Sequence, residues 1–322
     1  MKYIVTGAAG LIGGAVVSAL NEQGETDILA VDHLGTSEKW MNLRPLKFSD
    51  YLEKDLFRRR LNEGAFRDCG IEAIIHMGAC SATTERDASY LADNNFNVTK
   101  ELAEFAVRNN IRFLYASSAA TYGGGEHGYV DDENAMDQLR PLNMYGYSKL
   151  MFDLWAKRRG LLSSITGMKF TNVFGPNEKH KGGMRSMVLR AFEQITETGK
   201  VKLFKSDRPE YADGEQKRDF IYVKDVAQMI LALMRINAKG IYNIGSGRAE
   251  TWNELVGAVF RALGKTPEIE YIDMPENLKG KYQYYTCADM TKFNALNTGL
   301  AARPLSVTVA DYVRNHLIPE NC

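Results

Sequence analysis

A serine, a tyrosine and a lysine are placed where they could remove a proton from an alcohol. Tyr145 and Lys149 are four residues apart in YGYSK, so in a helix they would share one face, a turn apart. A phenol with a reference pKa of about 10 is a poor base at neutral pH, but a nearby ammonium favours its ionised form. Lys149 would therefore make Tyr145 a usable base, and the Ser118 hydroxyl would hold the alcohol oxygen. An ordinary pair on a helix surface is the alternative for the isolated pattern.

An apolar run followed by three glycines begins the chain. In YIVTGAAGLIG, Gly7, Gly10 and Gly13 stand between a strand pattern and a helix pattern. Such a turn needs the first glycine for its conformation, the second for close approach to a pyrophosphate and the third for helix packing. A second apolar run ends in Asp32, where a carboxylate would bind an adenosine ribose. The pattern predicts a dinucleotide-binding half, with a simple turn as the alternative.

Strand-like runs that alternate with longer helical patterns predict the architecture that positions these groups. The runs occupy 3–6, 28–31, 73–76, 113–117 and 167–170. Such alternation is typical of a parallel sheet covered by helices on both faces. We therefore predict an α/β fold, a Rossmann-type doubly wound parallel sheet with a smaller α/β C-terminal domain.

The clean alternation ends after Asn172, which sets the predicted domain boundary. Residues 1–171 would form the dinucleotide-binding domain, to which the chain would return around 218–240. Residues 172–322 would mainly form a substrate-binding domain. The polar stretch 206–217 interrupts the pattern and predicts a mobile loop.

Composition argues against several classes of partner. The 322-residue chain has 40 basic and 40 acidic residues, so nothing indicates nucleic acid, and no apolar stretch is long enough to cross a bilayer. The first strand begins at about Lys2, which leaves no room for a cleaved signal, so we expect a cytoplasmic protein with a small-molecule partner. The spacing of the cysteines fits neither a metal site nor a redox pair, and we assign them no chemistry. They are Cys69, Cys80, Cys287 and Cys322.

Four segments together resemble the extended short-chain dehydrogenase/reductase superfamily. They are TGAAGLIG, ASSAATYG, YGYSK and RDFIYVKDVA. The resemblance implies a nicotinamide-dependent enzyme acting on a nucleotide-sugar, in which Lys149 also donates to the nicotinamide ribose. Further segments, HMGACSATTE, DNNFNVTKEL, NVFGPNEKHKGGM and LKGKYQYYTCADM, are similar to the ADP-heptose 6-epimerase family over nearly the whole chain.

That family implies an isomerase that inverts C6 of ADP-D-glycero-D-manno-heptose, a precursor of lipopolysaccharide core. Hydride leaves C6 for bound NADP, the 6-keto sugar turns, and hydride returns to the opposite face. Two acid/base groups are then needed, and Tyr145 and Lys181 match the family's pair. From sequence alone Lys181 would be a solvated loop lysine. The family also implies a closed homo-oligomer, a pentamer.

The resemblance assigns two sets of binding residues. The cofactor-binding positions are Gly7, Gly10, Leu11, Ile12, Gly13, Asp32, His33, Lys39, Lys54, Met77, Gly78, Ala79, Cys80, Ser81, Asn94, Lys149, Val173 and Lys181. The substrate-binding positions are Ser118, Asn172, Gly183, Arg190, Phe204, Lys205, Ser206, Asp207, Arg218 and Tyr282. Arg218 has a separate rationale, because a guanidinium fork suits diphosphate oxygens.

The choice between NADP and NAD depends on the end of the second strand. By rule Asp32 favours NAD, because a carboxylate repels a 2′-phosphate. Lys39 and Lys54 nevertheless match cations of the family, and His33, where an asparagine is usual, could donate to the phosphate. We predict NADP, with NAD as the alternative.

Three departures from the family pattern leave the exact nucleotide-sugar open: Met77, Asn177 and Arg190. A UDP-hexose 4-epimerase shares the Ser, Tyr and Lys core and is the main alternative. A nucleotide-sugar 4,6-dehydratase would have an Asp-Glu pair where this chain has Ala119-Ala120. A non-catalytic nucleotide sensor on the same fold would have lost the Tyr-Lys pair, which is intact here.

Overall fold

The computed structural model describes residues 1–276 and 282–319, and a sheet of seven parallel strands lies at its centre. The strands of this sheet are β1 (Tyr3–Thr6), β2 (Ile28–Asp32), β3 (Asp50–Glu53), β4 (Ala73–His76), β5 (Arg112–Ser118), β6 (Thr166–Phe170) and β11 (Gly240–Ile244). Their order is β11-β6-β5-β4-β1-β2-β3. Strand order therefore reverses between β1 and β4, the place where open α/β sheets bind ligands at the carboxyl ends of their strands.

Six shorter strands form three two-stranded sheets in the second half of the chain. They are β7 (Asn172–Phe174), β8 (Val201–Phe204), β9 (Lys217–Arg218), β10 (Phe220–Tyr222), β12 (Glu250–Thr251) and β13 (Ile269–Ile272). The pairs are β7 with β10, β9 with β12, and β8 with β13.

Helices cover both faces of the large sheet and build a separate apolar cluster. They are α1 (Leu11–Glu22), α2 (Lys54–Asn62), α3 (Ala88–Leu91), α4 (Val98–Arg108), α5 (Met144–Arg158), α6 (Met187–Thr198), α7 (Val223–Arg235), α8 (Trp252–Ala262), α9 (Thr291–Asn294) and α10 (Leu305–Tyr312). One core cluster packs α1 and α7 on the sheet, and a second packs α4 and α5 on it. A third cluster joins α6, α8 and α10.

The predicted α/β Rossmann-type sheet is confirmed, and so are the five predicted strands. Every residue of β1 and β4 is buried, as expected of strands covered on both faces. A π-helical segment, Ala92–Asn97, immediately precedes α4. The strands β3 and β11 were missed by the sequence reasoning.

Within the described residues, no helix is both long and apolar enough to cross a membrane. The same part of the chain holds no group of three side chains suited to binding a metal. Cys69, Cys80 and Cys287 are free thiols. Cys322 lies outside the described residues.

Candidate active site

A cleft of about 1680 Å³ runs along the carboxyl ends of the central strands and reaches the C-terminal half of the chain. It brings together most of the predicted site residues. Those that line it are Gly7, Gly10, Leu11, Ile12, Gly13, Asp32, His33, Lys39, Lys54, Met77, Gly78, Ala79, Cys80, Ser81, Asn94, Ser118, Tyr145, Lys149, Asn172, Val173, Lys181 and Tyr282.

Seven predicted substrate-binding residues do not line the cleft. They are Gly183, Arg190, Phe204, Lys205, Ser206, Asp207 and Arg218. The Lys205 ammonium is paired instead with Asp273, 3.0 Å away at the protein surface. The Arg190 guanidinium donates to the Gly183 carbonyl. Arg218 and Phe204 reach the cleft indirectly, because both contact the ring of Tyr282.

The glycine turn between β1 and α1 is built for a close backbone approach. Gly7 has a φ of +68°, and a Cβ there would lie 2.7 Å from the backbone nitrogen of Gly78. A Cβ at Gly13 would lie 2.1 Å from the Gly7 carbonyl oxygen. The N-cap of α1 is Gly10, which supplies no side-chain cap, so the first amides of the helix can receive an anion. These residues fit the pyrophosphate of a dinucleotide.

The Asp32 carboxylate lies at the adenosine end of this cradle and is almost fully buried, with 5% of the residue exposed. It accepts hydrogen bonds from the Ala9 nitrogen at 2.7 Å and the His33 nitrogen at 2.6 Å. The Lys39 ammonium forms an ion pair with it. The lysine therefore neutralises the carboxylate that would otherwise repel a ribose phosphate.

The other two predicted cations at this end already have partners. The His33 ring nitrogen Nδ1 lies 2.7 Å from the Glu53 carboxylate. The Lys54 ammonium donates to the Asn94 side-chain oxygen at 3.0 Å. The Lys54 ammonium also lies 5.8 Å from the Tyr90 ring centre and acts on the Asp93 carboxylate, whereas Glu53 holds the imidazole.

Tyr145 and Ser118 meet at the floor of the cleft. The N-cap Asn143 begins α5 by accepting a hydrogen bond from the Gly146 nitrogen at 2.8 Å, and Tyr145 lies in the first turn. The Ser118 side chain lies beside the phenol. Burial raises the pKa of Tyr145, and the neighbouring Ser118 hydroxyl opposes that rise. The phenol is thus a proton donor at neutral pH.

Lys149 lies one turn further along α5 and is 4% exposed. Its ammonium donates to the Ala116 carbonyl of β5 at 2.8 Å. Burial lowers the pKa of Lys149 to about 8, and the Asp153 carboxylate acts against that shift. From the sequence we expect the Lys149 ammonium to stabilise a Tyr145 phenolate. The structure does not show this, because burial is the largest influence on the pKa of both groups and favours their neutral forms.

Lys181 enters the cleft from a short 3₁₀ segment, Lys179–Met184. The side chain is partly buried, which lowers the pKa of Lys181, while the Glu178 carboxylate acts in the opposite direction. The alternative that Lys181 is a solvated loop lysine is therefore wrong. The Lys181 amine therefore loses its proton at a pH closer to neutral than the amine of a fully solvated lysine does.

Two residues that position this segment were missed by the sequence reasoning. The buried Glu178 accepts from the Ser186 hydroxyl at 2.7 Å and from the Gly175 nitrogen at 3.3 Å, which fixes both ends of the segment. The Asn42 amide donates to the Ala9 carbonyl at 2.8 Å and the Asn177 carbonyl at 3.3 Å. Asn42 thereby joins the glycine turn to the loop bearing Lys181. The single signal in the sequence for this role of Asn42 is its position three residues after Lys39, a predicted cofactor-binding residue.

Aromatic side chains form the far wall of the cleft. The Trp252 indole donates to the Tyr282 hydroxyl at 2.8 Å, and the Arg218 guanidinium lies 5.1 Å from the Tyr282 ring centre. Burial lowers the pKa of Arg218, and the neighbouring Asp219 accepts from the backbone nitrogens of Ser246 and Gly247. Trp252 and Tyr282 thus line the cleft with flat rings, and the Arg218 charge contacts the Tyr282 ring without lining the cleft itself.

Comparison with known proteins points to one family. The sequence model of the NAD dependent epimerase/dehydratase family matches residues 3–245. ADP-L-glycero-D-manno-heptose-6-epimerase of Nitratidesulfovibrio vulgaris is 51% identical over 98% of both chains. The protein of the same name from Fusobacterium nucleatum is 48% identical over 99% of this chain and 98% of its own.

Solved structures agree with this similarity. The crystal structure of Helicobacter pylori ADP-L-glycero-D-manno-heptose-6-epimerase has a TM-score of 0.81 and 26% identity, covering 98% of this chain and 95% of its own. A Thermotoga maritima UDP-glucose 4-epimerase with UDP-glucose has a TM-score of 0.76 and 24% identity, covering 98% and 100%. At that identity the second structure shows a shared fold alone.

Proposed function

This chain belongs to the NAD dependent epimerase/dehydratase family, and from this premise we propose that it epimerises ADP-D-glycero-D-manno-heptose to ADP-L-glycero-D-manno-heptose at C6. The observation that supports this most strongly is near-full-length similarity to proteins of that name. A second observation supports the same function: one cleft is lined by all four predicted catalytic residues, Ser118, Tyr145, Lys149 and Lys181. A UDP-hexose 4-epimerase, the main alternative, is supported by the shared fold and by the Ser, Tyr and Lys core, without similarity of that extent in sequence.

The proposed reaction needs two proton-transfer groups on opposite sides of the sugar. A bound nicotinamide dinucleotide supplies a hydride acceptor, and later a hydride donor, for C6. Ser118 holds the C6 oxygen beside Tyr145 in one pose of the sugar. Lys181 serves the same oxygen after the 6-keto sugar has turned. One group takes the hydroxyl proton and the other returns a proton. The hydride taken from C6 would also be returned to C6, so the sugar shows no net change of oxidation state.

Epimerisation can be followed by NMR in D₂O, with only catalytic NADP and no reductant. We expect either ADP-heptose epimer to yield a mixture of both. C6 should keep its protium, because hydride is returned internally and never exchanges with solvent. Conversion of UDP-glucose to UDP-galactose without reaction of ADP-heptose would favour the alternative. Deuterium at C6 would contradict hydride return.

We propose NADP as the cofactor, supported by the Lys39 ion pair with Asp32 and by the Lys54 ammonium nearby. Replacing Lys39 with methionine should weaken NADP binding by at least about tenfold, because one charge-assisted contact of about 1.5–3 kcal/mol is lost. NAD binding should change much less. Calorimetric titration of Lys39→Met with both cofactors measures this difference, and the exposed Lys47→Met is the matched control. An equal loss for NAD would contradict the proposed phosphate contact.

We also propose that the product serves lipopolysaccharide core synthesis and that the enzyme is a closed homo-oligomer. In the proposed division, residues 1–171 bind the cofactor and 172–322 mainly bind the nucleotide-sugar. The return of the chain to the first domain is supported by α7, which packs on α1, and by β11, which extends the large sheet.

A further inference from the structure

A buried ion pair behind the reaction site has no part in the proton transfers described above. Asp153 on α5 and Lys169 on β6 are 0% and 1% exposed, and the ammonium lies 2.8 Å from the carboxylate. Asp153 follows Lys149 by four residues, one turn along the same helix face. We propose that Asp153 and Lys169 are positioning residues that fix α5 against the strand bearing Ser118, and that Asp153 supplies the negative charge that keeps Lys149 protonated.

The Asp153 carboxylate ties α5 to the strand bearing Ser118. One of its oxygens accepts from the Tyr115 hydroxyl at 2.9 Å. The other accepts from the Ser117 hydroxyl at 2.7 Å and from the Lys169 ammonium. Tyr115 and Ser117 are two residues apart in β5, so their side chains lie on the same face of the strand. The Asp153 carboxylate therefore binds α5 to two neighbouring positions of that face. The register of Tyr145 relative to Ser118 follows from this attachment.

The Lys169 ammonium fixes the turn that follows Ser118. It donates to the Thr121 hydroxyl at 2.6 Å, and that hydroxyl donates to the Ser118 carbonyl at 2.7 Å. The same ammonium lies 5.1 Å from the Tyr122 ring centre. Both Asp153 oxygens and the Lys169 nitrogen therefore have hydrogen-bond partners close to Ser118. A buried ion pair holds a defined geometry when its polar atoms are satisfied in this way.

The groups that face Lys149 leave Asp153 as the source of compensating charge. His76 of β4 is neutral, because burial lowers its pKa to about 3. Cys80, in the loop after β4, acts on the lysine only as a thiolate, and Tyr145 is kept as a neutral phenol by burial. The Asp153 carboxylate raises the pKa of Lys149 against the effect of desolvation.

Two tyrosines and one lysine face Asp153 from other elements. Burial raises the pKa of Tyr115 on β5 and of Tyr122 in the turn after Ser118, so both are neutral. Among the residues that the structure describes, Lys169 of β6 is the cation within hydrogen-bonding distance of the carboxylate. Removing the carboxylate would therefore expose Lys149 to the Lys169 charge.

The inference about Lys149 can be tested without turnover. In the full-length protein, ¹³C NMR of lysine Cε, with the Lys149 signal assigned through Lys149→Met, gives its titration directly. In Asp153→Asn we expect the Lys149 pKa to fall by about one unit or more. In Asp153→Asn with Lys169→Met the fall should be smaller, because the repelling cation is also gone. Asp131→Asn replaces another buried carboxylate, one that does not act on the Lys149 pKa, and as the matched control it should leave the titration unchanged.

The consequence for catalysis rests on the proposed function and is measured separately. The alkaline limb of the kcat/KM profile for ADP-heptose should move to lower pH in Asp153→Asn, because the proposed hydrogen bond from Lys149 to the nicotinamide ribose is made by its ammonium. Absence of turnover in the wild-type protein would refute the proposed function, while the NMR titration would still test the inference. A Lys149 pKa equal to that of the wild type in both Asp153 variants would overturn the inference.

Discussion

Replacing Tyr145 with phenylalanine is expected to lower kcat for epimerisation by about 10²–10⁴-fold, the usual contribution of a positioned acid or base. The substitution removes the phenolic oxygen beside Ser118 and keeps the ring in the first turn of α5. Binding of the cofactor and of the nucleotide-sugar should therefore persist. NMR kinetics and calorimetric titration of the same preparation measure the two properties.

Tyr147→Phe is the matched control for this prediction. Tyr147 lies on the same helix but is 49% exposed, and it is not among the residues lining the cleft. Its replacement should leave kcat within about twofold of the wild type, as is usual for surface changes of small free energy. Full turnover in Tyr145→Phe would show that the phenol takes no part in proton transfer.

Lys181→Met is expected to cause a loss of similar size, about 10²–10⁴-fold in kcat. Burial lowers the pKa of Lys181, so the group can act as a base nearer neutral pH than an exposed lysine. In the wild type, a step that needs the neutral amine becomes faster as pH rises through that pKa. This limb of the kcat profile should disappear in the variant, and pH-dependent NMR kinetics started from each epimer would detect it.

Lys179→Met provides the comparison within the same 3₁₀ segment. Lys179 is exposed and does not line the cleft, so its replacement should preserve both kcat and the pH limb. If Lys181→Met kept wild-type kcat from both epimers, a two-base scheme would be wrong. Tyr145 would then have to serve both poses of the sugar.

Local patterns in the sequence were enough for the central sheet and for the cofactor cradle. The run before Gly7 became β1 with the predicted bounds, because a strand covered on both faces must be apolar throughout. The positive φ of Gly7 and the close contact of Gly13 with the Gly7 carbonyl come from short-range geometry, whereas the contact between Gly7 and Gly78 comes from the fold. The strand β3 was missed because its polar residues are only partly covered at the edge of the sheet. Edge strands lack the continuous apolar signal.

The sequence by itself determined the Rossmann-type sheet, the glycine turn and the Tyr145–Lys149 spacing, because each depends on residues close together in the chain. Only the tertiary structure decided that Lys181 is partly buried in the cleft and that Lys205 pairs with Asp273 away from it. It also decided that Asp153 meets Lys169 behind the serine. Burial and charge pairing set the protonation of such groups, and both depend on neighbours that the fold brings from distant parts of the chain.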